Sequence, residues 1–212
     1  MDPMIILNSS ALLLSIVNGL ILVFNFLKNR PNIVLNPKLS ENPENNYFFV
    51  MPTLETNGLA IRRYCFITYI TIINRGSRST SLLSWELQVI IGDKKVRLLP
   101  VTVPSIQFAF SEAGIMKKFT PLGMGDKKEG LLLQSGEIKR GFSCYIIEFI
   151  SNRDLKIDPN GGKIKAKMII TDSFGKEITT SCSITEISYS IGNLMIPGVG
   201  DIFLDEVHDL NQ

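Results

Sequence analysis

The residues able to do acid–base, nucleophilic or metal chemistry in this chain are few and scattered. The one histidine, His208, lies near the C-terminus among Asp205, Glu206 and Asp209. A Ser-His-Asp site needs the imidazole held between a nucleophile and a carboxylate, and a terminal segment is seldom held that rigidly, so His208 is read as a solvated side chain. The three cysteines, Cys65, Cys144 and Cys182, have no Cys-x-x-Cys spacing, and no His-Glu-x-x-His or calcium-loop pattern occurs. Neither a metal nor a cofactor is therefore expected. An odd number of cysteines suits a reducing compartment, and Cys65 and Cys144 are read as small buried hydrophobes. The run from Gly123 to Gly130 lacks the Gly-Lys-Ser/Thr ending of a phosphate loop. Gly175-Lys176 precedes Glu177, which would repel a phosphate, and reads as a hairpin turn. No catalytic residue is assigned, and the chain is not expected to be an enzyme.

Two groups of residues are better suited to binding than to reaction. Ala11, Ser15 and Gly19 recur every four positions inside an apolar stretch, with Asn18 beside them. Small residues at that spacing let two helices approach closely, and a side-chain amide in lipid gains by finding a partner, so this face is a candidate for helix packing and a homo-oligomer. Near the other end, Asp201 can cap a short helix in which Phe203, Val207 and Leu210 fall on one stripe, flanked by Asp205, Glu206 and Asp209. Such a segment is too short to be stable alone in water, so the stripe needs a groove. That groove belongs either to the basic body of the same chain or to a protein partner; the third alternative is a disordered end.

The elements that carry these groups follow from hydrophobic pattern. From Met4 to Leu27, 24 residues pass without Asp, Glu, Lys, Arg or His. As a helix this segment is about 36 Å long, against a hydrocarbon core of about 30 Å, so a single transmembrane helix is expected. A cleaved signal peptide would need a positive N-terminal region and a small-residue cleavage site, and neither is present. Lys28, Arg30 and Lys38 all follow the segment. Positive flanks stay on the cytoplasmic side, which puts the N-terminus outside and the C-terminal domain in the cytoplasm at the cell membrane.

Residues 29–46 are rich in Asn and Pro and read as a spacer, with Ile33-Val34-Leu35 as an edge strand within it. Beyond it the period changes to two. Ile164, Ala166, Met168 and Ile170 alternate with Lys163, Lys165 and Lys167, the pattern of a half-buried strand. Similar runs at 47–50, 65–73, 85–91, 96–103, 142–150 and 178–184 are separated by turn signals such as Asn74-Arg75-Gly76 and Asn160-Gly161-Gly162. Short strands without a long amphipathic helix predict a mainly β, antiparallel sandwich or barrel. Residues 105–133, with four glycines, predict a long loop at one end, with one short helix in it.

The order Ile72-Ile73-Asn74-Arg75-Gly76-Ser77, then Trp85-Glu86-Leu87, then Leu133-Gln134-Ser135-Gly136-Glu137, then Ile170-Thr171-Asp172-Ser173-Phe174-Gly175-Lys176 resembles immunoglobulin-like and fibronectin-type sandwiches of membrane-anchored bacterial proteins. The resemblance covers residues 47–190 and implies an immunoglobulin-like β-sandwich behind one N-terminal transmembrane helix. Cys65, Trp85 and Cys144 repeat the Cys, Trp, Cys order of antibody domains, but Phe142 stands where a Tyr belongs. A fold of this kind hosts many functions and implies no activity.

The chain thus divides into an anchor (1–28), a spacer (29–46), a β-sandwich (47–190) and an acidic tail (191–212). All 22 Lys and Arg lie within 28–190, whereas the tail holds Asp201, Asp205, Glu206 and Asp209 and no Lys or Arg. The basic residues are dispersed and not interleaved with exposed aromatics, so nucleic acid is not the expected partner. A positive surface suits a domain tethered beside anionic lipid, and it equally suits an ordinary solvated lysine surface. The expected function is a single-pass binding or scaffolding module in a membrane-associated complex. The alternative is a membrane-anchored sensor whose domain, or its 105–133 loop, binds a small anionic ligand such as a nucleotide.

Overall fold

A computed structural model describes residues 3–37, 46–56, 59–91, 94–101, 106–110, 115–119, 122, 130–150 and 162–199. The chain opens with helix α1 (Pro3–Lys28), followed by β1 (Ile33–Asn36), β2 (Tyr47–Val50), β3 (Leu54–Thr56) and β4 (Leu59–Asn74). Next come β5 (Thr80–Ile91), β6 (Lys94–Leu98), β7 (Pro100–Val101), β8 (Ile106–Phe110), β9 (Ile115–Phe119) and β10 (Leu131–Leu133). The chain continues through β11 (Ile138–Ile150), β12 (Lys163–Asp172) and β13 (Glu177–Glu186) to helix α2 (Tyr189–Met195). The protein is mainly β, as its period-two runs predict.

Eleven strands join one sheet in the order β10-β5-β12-β13-β2-β4-β11-β7, with β1 and β3 also paired to β4 and β6 to β5. The expectation of a wholly antiparallel sheet is corrected: β13 and β2 run parallel, Thr185 opposite Tyr47 and Glu186 opposite Phe48. Strands linked by tight turns must be antiparallel, but β2 and β13 are far apart in sequence, so no turn dictates their relative direction. Their junction is sealed by Thr185 N–H donating to Asn46 O and Ile187 N–H donating to Phe48 O, both at 2.9 Å.

The sheet curls so that strands from both halves share one core. β4 contributes Tyr64, Phe66, Ile70 and Ile72; β5 contributes Leu82, Trp85, Leu87 and Val89; β12 contributes Ile164, Ala166, Met168 and Ile170. The lysines of β12 point outward, as the alternation predicts. A second core lies on the opposite face of β4, where Cys65, Ile67 and Tyr69 meet Phe142 and Cys144 of β11 and Phe49 of β2. Both faces of β4 are therefore covered, which explains why its sequence runs apolar without alternating. Met195, Ile196 and Val199 close this second core. Ser188 caps α2 through its hydroxyl, and Gly192 lies so close to the Phe49 ring that a Cβ there would clash.

The edge strand expected within the 29–46 spacer is β1, paired along β4 from Ile33–Asn74 to Asn36–Thr71, with Ile33 in the large core. Two other segments depart from expectation. The expected 105–133 loop contains the β8–β9 hairpin and the edge strand β10, and no helix is found there among the described residues. Aromatic and branched residues such as Ile106, Phe108 and Phe110 outweighed the glycine punctuation. The first residues of the expected 191–212 tail stay on the body as far as Val199, which is fully buried.

Candidate functional site

α1 carries the residues of the candidate helix-packing face. Ser15, Asn18 and Gly19 are exposed, and no atom lies within 4 Å of a Cβ built on Gly19. The Ala11 side chain lies outside the described residues, as do Phe203, Val207 and Leu210 of the tail. Every described side chain of α1, from Leu12 to Lys28, is exposed, including Leu14 at 67% and Leu22 at 69%. Among the described residues no helix is both long and apolar enough to cross a membrane. The backbone of α1 is helical over 26 residues, Pro3–Lys28, with side chains described from Leu12 onward.

The end of α1 is fastened to the body by a set of contacts that the sequence did not reveal. Asn29 N–H donates to Asn25 O at 3.0 Å, and the Arg30 guanidinium sits 4.7 Å from the centre of the Phe26 ring. The Ser77 hydroxyl, in the β4–β5 turn, lies 3.3 Å from Lys28 O and 3.2 Å from Asn29 Oδ1. Arg75 N–H donates to Asn32 O at 2.7 Å. Gly76 fits against the backbone of Arg30, Pro31 and Asn32 with no room for a Cβ.

Asn74 organises this corner from beneath. Its Nδ2 donates to Arg78 O at 2.7 Å and Leu133 O at 3.4 Å, while its Oδ1 accepts from Gly76 N–H at 3.0 Å. The β10–β11 turn joins in, because Ser135 Oγ donates to Gly76 O and Gly136 N–H donates to Asn74 O. A buried amide that meets three backbone groups replaces the hydrogen bonds it loses from water, and so fixes the turns it bridges. The only sequence signal was Asn74-Arg75-Gly76, which marks a turn and says nothing of α1.

The interior holds few reactive groups, and their environment suppresses reactivity. Cys65 and Cys144 are free and buried in the second core, and their Sγ atoms are 3.4 Å apart. Burial, and then the neighbouring Cys144, pushes the Cys65 thiol well above its ordinary value. Burial also pushes Cys182 up to about 12. A thiol held protonated is a poor nucleophile and a poor metal ligand. Burial raises the Tyr145 phenol, and the adjacent Thr68 and Ser143 hydroxyls oppose that shift. No group of three potential metal ligands occurs among the described residues. Trp85 belongs to the large core and the two cysteines to the second, so the Cys, Trp, Cys order does not correspond to one packed triad.

No family model and no curated protein matches the sequence. Among solved structures, SoR45, a target of the Northeast Structural Genomics Consortium, aligns over 75% of this chain and 89% of its own, with 9% identity and a TM-score of 0.32. An inactive mutant of the GH20 exo-β-N-acetylglucosaminidase from Vibrio harveyi aligns over 69% of this chain and 18% of its own, with 12% identity and a TM-score of 0.23. Likenesses this slight carry no functional argument.

Proposed function

We propose that this chain is a single-span membrane protein whose β body is a binding or scaffolding module on the cytoplasmic side, built as an immunoglobulin-like sandwich. The observation that carries the reading is the surface of α1. Leu12, Leu13, Leu14, Leu20, Leu22 and Phe24 are all at least 64% exposed, whereas the long strand β4 has both faces covered. A helix left bare on every side finds its low-energy environment in hydrocarbon. With 26 residues it extends about 39 Å, enough for a tilted crossing. Two sheet halves enclosing one core support the sandwich, while the parallel β13–β2 junction departs from the immunoglobulin pattern.

In this reading the Ala11, Ser15, Asn18 and Gly19 face pairs α1 with a second copy, and the Phe203, Val207 and Leu210 stripe is a protein-binding element. The competing reading is a sensor in which the sandwich, or its 105–133 segment, binds a small anionic ligand such as a nucleotide. Alkaline extraction of membranes tests the anchor: the chain should stay with the bilayer, and release into the supernatant would reject it. Protease added outside intact cells tests the orientation, and should leave residues 28–212 uncut. Degradation of the body would reverse the topology.

A further inference from the structure

The turns that fasten α1 to the body also share one end of the sheet with a third turn. Ser173 N–H donates to Ser81 O at 2.8 Å, and the Thr80 and Ser173 hydroxyls are 3.2 Å apart. The β12–β13 turn therefore stands beside the β4–β5 turn, which itself grips the exit of α1. At its tip is Phe174, 72% exposed, although its turn is firmly built. Asp172 Oδ1 accepts from both Phe174 N–H and Lys176 N–H at 2.9 Å, and Gly175 takes the positive φ of 75° that closes the turn.

The charges at this end are of one dominant sign. Arg30, Arg75, Arg78 and Lys176 are exposed, and among the described residues none of them forms an ion pair. The nearby carboxylates are already engaged: Glu137 pairs with Lys139 at 2.8 Å, Glu177 pairs with Arg97 at 2.9 Å, and Asp172 is buried within its turn. An exposed basic rim around an exposed aromatic tip has the composition of a bilayer-interface contact. The aromatic ring favours the headgroup level, and the cations favour anionic lipid within a Debye length.

We infer that this end of the body is a lipid-facing surface, on which Phe174 enters the interface and Arg30, Arg75, Arg78 and Lys176 bind anionic headgroups. The inference rests on the anchoring reading of α1, since the helix delivers this end, and no other, to the membrane. The Ser77 contacts with Lys28 and Asn29, and the 2.7 Å bond from Arg75 N–H to Asn32 O, join this end of the body to the exit of α1. The surface would therefore set the standing orientation of the module, presenting the opposite end to its partners.

The test uses the full chain reconstituted in vesicles of phosphatidylcholine with or without phosphatidylglycerol, and Phe174→Trp as the probe. The only native tryptophan, Trp85, is 4% exposed in the large core and serves as an internal control for an intact body. Brominated lipids should quench Phe174→Trp strongly in anionic vesicles and weakly in neutral ones, while the native chain stays unquenched. Adding Arg75→Glu and Arg78→Glu should reduce that quenching by about twofold or more, with Trp85 emission unchanged. If Phe174→Trp in co-floating vesicles is quenched no more than the native chain, the lipid-facing surface is refuted and the anchor stands. Equal quenching in neutral and anionic vesicles overturns the headgroup assignment. A chain that does not float with the vesicles overturns the anchor and this surface together.

Discussion

Cys65 Sγ and Cys144 Sγ lie 3.4 Å apart, on neighbouring strands of one sheet and not across two. Cys65 is opposite Ile146 and Cys144 opposite Ile67, so the sulfurs meet diagonally within the second core, away from Trp85. Both are free thiols packed among Phe49, Ile67 and Phe142. They act as small hydrophobic side chains, and their chemistry is held in reserve by burial.

An alkylating reagent should therefore leave Cys65 and Cys144 unmodified in the folded protein and label them once it is denatured. Rapid labelling under native conditions would show that the second core opens readily. Cys65→Ala should cost about 1 kcal/mol, because it leaves a small cavity among these side chains; a denaturant midpoint measurement checks it.

Stability should fall in alkali. The Cys65 and Cys182 thiols are raised in the fold, Cys182 from 9.0 to about 12, so at pH values between these the unfolded chain loses protons that the folded chain retains. The folded state then binds more protons, and linkage makes unfolding easier as pH rises. The stabilisation is complete below about 9 and is lost progressively toward about 12. A thermal melting temperature that declines above pH 9 in the native chain, and less steeply in Cys182→Ala, is the expected result.

Asn74→Ala should destabilise the body by about 2 kcal/mol, since it removes an amide that holds backbone groups of Arg78, Gly76 and Leu133 with little water to replace it. Asn46 makes a similar set of contacts, accepting from Tyr69 N–H at 3.0 Å and donating to Pro37 O at 3.2 Å. Asn46→Ala should cost a comparable amount. Hydrogen exchange would place the loosening at the β4–β5 turn for the first variant and beside β2 for the second.

Ile196→Ala should cost about 2–4 kcal/mol, as it empties part of the second core beneath α2. Gly192→Ala should also destabilise, by forcing α2 away from Phe49. Chemical denaturation measures both. If neither variant changed the midpoint, the segment from Tyr189 to Val199 would be dispensable to the fold.

Gly19→Ile should leave the body's melting temperature unchanged, because no described residue of the body lies within 4 Å of a Cβ at that position. Paired helices would be pushed apart at a cost of about 1–2 kcal/mol, seen as weaker cross-linking in membranes. Unchanged cross-linking would discard the Ala11, Ser15 and Gly19 face as an interface.

Local pattern was enough to reveal the mainly β character, most strand positions and the hairpin at Gly175, since side-chain period and turn chemistry are short-range properties of neighbouring residues. The alternation of Lys163, Ile164, Lys165 and Ala166 told which face of the first half of β12 is buried, because only one face of that strand is covered from Lys163 to Met168. It could not tell that β4 has two covered faces, or that β2 joins β13 in parallel, because both depend on elements far apart in the chain. Nor could it tell that Asn74 ties the β4–β5 turn to the end of β10, that Ser77 and Arg75 hold the exit of α1, or that the Phe174 turn stands beside them. Those juxtapositions arise when the curled sheet brings distant turns to one end, and hydrogen bonds formed there leave no periodic trace in the sequence.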